Sequence, residues 1–159
     1  MAEVTADHAR VLSQMAQFMY DSGGVGLAAP QVGISQAMIV VDAGSGLYKL
    51  INPRILRRQG TQVLEEGCLS VPGVCLKIKR AKSIVLKAQD ENGQNLKIEA
   101  RDLLACVFQH EIDHLRGRLI VDYASMVEKL KLKRRLRALK KKTDEDLSKS
   151  KAKSCQLQL

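Results

Sequence analysis

Gln109-His110-Glu111-Ile112-Asp113-His114 carries two histidines four residues apart, with a glutamate directly after the first. On an α-helix, His110 and His114 lie one turn apart on the same face, where two imidazoles can close on one metal ion. Glu111 then lies beside that ion, placed to move protons on a water bound to it. Leu103, Leu104, Val107, Phe108, Ile112 and Leu115 recur at three- and four-residue intervals, and Gly117 stands where a C-terminal cap would fall. The spacing therefore predicts a helix over 101–115. So apolar a helix should be buried, carrying its histidines into the core. The plainer alternative is a core helix with two hydrogen-bonded histidines, which leaves Glu111 without a task.

Upstream of this helix the pattern changes from helical to alternating. Short apolar runs at 37–41, 47–51, 74–78, 83–88 and 95–99 read as strands, with Asn52-Pro53 ending the second. Asp90-Glu91-Asn92-Gly93 is a hairpin turn. Val11, Leu12, Met15, Phe18 and Met19 mark a first helix over 5–20, stopped by Gly23-Gly24. Several short strands preceding one buried helix imply α+β: antiparallel sheets packed around a central metal-binding helix, rather than alternating βαβ units. A last helix is expected over 122–142.

The chain has 159 residues, room for a core without staples, and a single catalytic domain over 1–142 is expected. With no tryptophan and few aromatics, that core must be built from Leu, Ile, Val, Met and Ala. No run is long and apolar enough to span a membrane and no leader opens the chain, so the sequence reads as cytoplasmic with no membrane partner. Cys68, Cys75, Cys106 and Cys155 make no disulfide framework.

The net charge of +9 is local. Residues 125–142 hold nine Lys or Arg against one acid, Glu128, whereas 1–124 is nearly neutral. A basic helix without aromatics suits a phosphate backbone, although a solvated surface helix explains the same run. The polar stretch 143–159 reads as a disordered tail.

Two histidines leave a catalytic metal short of protein ligands, since three plus a water are usual. Downstream of His114 the early candidates are Asp122 and Glu128. Upstream, Cys68 sits at an expected strand end beside the helix. A downstream carboxylate would suit a metallopeptidase cutting internal amide bonds; a purely structural histidine pair would suit a basic nucleic-acid-binding accessory protein.

Three stretches together resemble the signature motifs of the peptide deformylases, in order and spacing: Gly24-Val25-Gly26-Leu27-Ala28-Ala29-Pro30-Gln31, Glu66-Gly67-Cys68-Leu69-Ser70, and Gln109-His110-Glu111-Ile112-Asp113-His114. The resemblance implies a hydrolase that removes the N-formyl group from the initiator methionine of nascent polypeptides, releasing formate. It implies Cys68, His110 and His114 as ligands of one divalent metal, Fe2+ in the cell, with Zn2+, Ni2+ or Co2+ in an isolated sample. Glu111 would be the general base and acid, with Gln31 and the Leu69 backbone N–H stabilising the oxyanion. Glu66 is the expected partner holding Gln31, and Asp113 the expected brace of the helix. Gly24, Val25 and Gly26 would pair with the peptide main chain as a strand edge. Leu103, Cys106, Val107 and His110, with Val25, would line the methionine slot, although core packing explains the apolar members equally. The basic helix implies ribosome or rRNA docking near the emerging chain.

Overall fold

The computed structural model describes residues 4–130 and 132. Two compact units are distinguished, 1–122 and 123–159. The first begins with helix α1 (Ala6–Asp21), whose first turn is closed by a reciprocal Thr5–His8 capping arrangement. Leu12, Met15, Ala16 and Met19 form its buried stripe; of the residues the periodicity marked, Phe18 turns outward at 52% exposure and Val11 is half-buried.

Five strands follow in one antiparallel sheet: β1 (Gly26–Ala28), β2 (Met38–Val41), β3 (Tyr48–Gln59), β6 (Ser83–Gln89) and β7 (Asn95–Arg101), in that spatial order. A separate hairpin joins β4 (Gln62–Gly67) to β5 (Cys75–Arg80). Helix α2 (Asp102–His114) then packs on the large sheet. One core cluster joins α2, through Ala105, Val107, Phe108 and Ile112, to Ile39, Val41, Leu50, Ile84 and Leu86. A second joins α1 to Leu27, Met38, Val40 and Ile51. Adjacent β2 residues alternate between the two clusters, because successive side chains of a strand point to opposite faces.

The expected α+β architecture is present; β1 and β4 add to the five strands read from apolar runs, and two elements have other bounds than expected. The strand predicted to stop at Asn52-Pro53 runs on to Gln59. A register shift between Ile51 and Arg54 takes the proline out of the ladder, and Asn52 absorbs the bend at φ 53°. The last helix does not start at Asp122. Residues Ile120–Tyr123 form a 3-10 turn in which Asp122 Oδ2 accepts the Leu119 N–H. The helix begins at 126 behind a Ser125–Glu128 capping box. Most of the remaining run to 142, and the tail 143–159, lie outside the described residues.

Candidate active site

The hairpin β4–β5 delivers Cys68 one residue past its first strand, and α2 delivers His110 and His114 from one face. Their candidate ligand atoms all lie within 4.8 Å of one another. His114 Nε2 is 3.3 Å from Cys68 Sγ and 3.1 Å from His110 Nε2. Two nitrogens on a tetrahedral ion would lie about 3.3 Å apart at ordinary bond lengths, so the donor set fits one ion with little adjustment. Burial opposes ionisation of the Cys68 thiol, but hydrogen bonding to both imidazoles outweighs it and holds the thiol down at about 5. Cysteine is thus biased towards the thiolate that metals require.

A buried polar network fixes this geometry from behind. Arg80 forms a two-pronged ion pair with Glu66, at 2.7 and 2.9 Å, and bonds to Asp113 on α2. Glu66 Oε2 in turn meets His110 Nδ1 at 2.8 Å. An Nδ1–H directed at this carboxylate leaves Nε2 free to act as a ligand. Burial favours the neutral Glu66 acid, yet Arg80 and His110 hold its carboxyl at about 2. The strand hairpin carrying the sulfur is thereby tied to the helix carrying the nitrogens.

Glu66 was expected to hold Gln31; the structure bonds it instead to Arg80, His110 and the Cys106 thiol, 3.2 Å away. Gln31 has other partners. Its Oε1 accepts the Ala28 N–H at 2.8 Å, and its Nε2 donates to Ser70 Oγ at 3.0 Å. Asp113 does brace α2, through Arg80. That arginine was absent from the sequence reading, although a signal for it exists: Leu76, Ile78 and Arg80 share the inward parity of β5.

Glu111 is fully enclosed, and its Oε2 has no hydrogen-bond partner among the described residues. Burial pushes its carboxyl up to about 7 against the pull of both histidines. An orphaned buried oxygen of this kind is costly and marks a place where a ligand or water belongs. Gly26 is glycine for the same reason: a Cβ there would collide with Glu111 Oε1 and lie 2.9 Å from Val107 Cγ1.

Gln31, Glu66, Cys68, His110 and Glu111 face one cavity of about 460 Å³, lined also by Gly24, Val25, Leu69, Leu103, Cys106 and Val107. Val25 and Leu103 are half exposed, 48% and 52%, which core packing does not explain. Cys106 and Val107 are buried and serve both core and cavity wall. Among the described residues β1 pairs with β2 alone, and its first residue, Gly26, lines the cavity. Asp122 and Glu128, the downstream ligand candidates, are engaged in their own backbone turns. Among the described residues no helix is long and apolar enough to cross a membrane.

Residues 1–130 match the family described as Polypeptide deformylase. A peptide deformylase of Syntrophomonas wolfei is 54% identical over 130 residues, covering 80% of this chain and 86% of its own length. That of Halothermothrix orenii is 47% identical over 124 residues, with coverage of 77% and 80%. Among solved structures, the peptide deformylase from Legionella pneumophila superposes with a TM-score of 0.83 at 36% identity, covering 91% of this chain and 87% of that one. The Thermotoga maritima enzyme does so with 0.76 at 44% identity, covering 79% and 86%.

Proposed function

The chain belongs to the polypeptide deformylase family, and from that premise we propose that it removes the formyl group from the N-terminal methionine of nascent polypeptides, releasing formate. The observation that carries the site assignment is the convergence of Cys68, His110 and His114 around one point, with the unpartnered Glu111 carboxylate enclosed nearby. Those three side chains would hold one divalent ion, which when bound supplies a Lewis acid and acidifies a water towards neutral pH. The donor set accepts Fe2+, Zn2+, Ni2+ or Co2+, and we assign Fe2+ as the ion in the cell.

Glu111 takes the proton from the attacking water and returns it to the departing amine nitrogen. A carboxyl raised to about 7 is suited to both directions of transfer at neutral pH. Gln31 Nε2 and the Leu69 backbone N–H donate to the charge that develops on the formyl oxygen. The outer edge of β1, which starts at Gly26 with Gly24 and Val25 leading into it, pairs with the substrate main chain, which makes recognition largely independent of sequence. Val25, Leu103, Cys106, Val107 and His110 form the slot for the methionine side chain. Residues 125–142, with nine bases and one acid, dock the enzyme on ribosomal RNA in the cytoplasm.

Anaerobic purification, metal analysis and formate release from an N-formyl-methionyl peptide test this reading together. One metal per chain and steady formate production are expected, with both lost in Cys68→Ala. Full metal content and activity in that variant would refute the ligand assignment.

A further inference from the structure

Gln31 sits in a one-turn 3-10 helix (Ala29–Val32), and its side chain has two anchors of different kinds. The Oε1 bond to the Ala28 N–H spans three residues and fixes which end of the amide is the donor. The Nε2 bond to Ser70 Oγ spans thirty-nine and reaches the segment that carries Cys68 and Leu69. Ser70 lies two residues past Cys68, on the loop that carries the sulfur. One residue therefore links the metal-ligand loop to the glutamine amide.

The geometry points to Ser70 as a positioning residue: its hydroxyl locks the Gln31 amide so that the second Nε2–H faces the reacting oxygen, next to the Leu69 N–H. This rests on the deformylase reading and on Gln31 as an oxyanion donor. The physical argument is one of orientation. A planar amide held only at Oε1 can still pivot about that bond; held at Oε1 and at one N–H, it cannot, and its remaining donor has a single direction. Preorganised donors accelerate a reaction because they need no reordering as charge develops. Gln31 and Leu69 come from chain segments far apart in sequence, and the Ser70 hydroxyl is the side-chain bond that sets one against the other. Ser70 is exposed and its hydroxyl accepts the Gln31 amide N–H, so a side-chain substitution acts on that contact.

The test is a double-mutant cycle on full-length enzyme of matched metal content, using formate release from an N-formyl-methionyl peptide. Ser70→Ala should lower kcat roughly tenfold with KM unchanged, since the lost quantity is alignment in the transition state. Ser70→Thr, which keeps the hydroxyl, should restore most of the rate. Gln31→Ala should lose about 10²–10³ in kcat, as removal of one oxyanion donor does. The double variant should be no slower than Gln31→Ala alone, because Ser70 acts only through that amide. Losses that multiply in the double variant, or an unimpaired Ser70→Ala, overturn the inference. A fully active Gln31→Ala overturns it too, and separately removes Gln31 from the proposed mechanism. Absence of formate release from the unmodified enzyme overturns the deformylase reading itself.

Discussion

Where α1 lies on β1–β3 the interior is hydrocarbon and thioether alone: Leu12, Met15, Met19, Leu27, Met38, Val40 and Ile51. Where the β4–β5 hairpin meets α2, the chain instead buries Glu66, Arg80, Gln109, Glu111 and His114. Both regions are buried, but they hold together by different means. Apolar packing is non-directional and responds to volume, so it can relax around a change of shape. A buried polar network responds to the loss of one partner, which leaves another group charged and unsolvated. The first region therefore supports the fold by packing, and the second ties the hairpin to the helix through directional bonds. Glu111 is the extreme case, a buried carboxyl with one oxygen that has no partner among the described residues.

The contrast breaks first at Glu111. Glu111→Gln should lower formate release by about 10²–10⁴ while leaving thermal stability equal or higher, because an amide in that position no longer costs the burial of a charge. A clear fall in melting temperature would mean the carboxylate is structural. The next effect is on folding. Arg80→Met strands the Glu66 charge and should cost about 3–5 kcal/mol in urea unfolding. It should also change the acid limb. With its carboxyl held at about 2, Glu66 stabilises the fold above its ordinary value of 4.5 and loses that contribution as pH falls towards about 2. Without Arg80 this loss on acidification should largely disappear; an unaltered acid profile would assign it to other carboxylates. The smallest effect belongs to the apolar side. Met19→Leu conserves volume at a fully buried position and should cost less than about 1.5 kcal/mol, with kcat unchanged. A large loss of activity there would erase the distinction between the two regions.

Much of this was readable from residues close together in the chain. The four-residue spacing of His110 and His114 and most of the apolar stripe of each helix followed from helical period alone, with Phe18 and Leu103 exposed instead. The turn at Asp90–Gly93 followed from turn chemistry, and Asp90 there accepts the Asn92 and Gln94 N–H groups. These features depend on neighbours within a turn or two, so their energetics are written locally. Other features depend on pairings the local sequence does not encode. Strand β3 runs past Pro53 because β6 offers a partner beyond the bulge. Glu66 serves His110 rather than Gln31 because the register Glu66↔Leu76 of the hairpin, carried to Arg80, brings two opposite charges into one dry space. Ser70 meets Gln31 only when that hairpin and β1 flank the same cavity. Sequence alone determined that His110 and His114 share one helical face and that three motifs stand in order, because periodicity and motif spacing are local. Only the tertiary structure decided what orients them, because a carboxylate or amide takes whichever partner the packed strands place within about 3 Å of it.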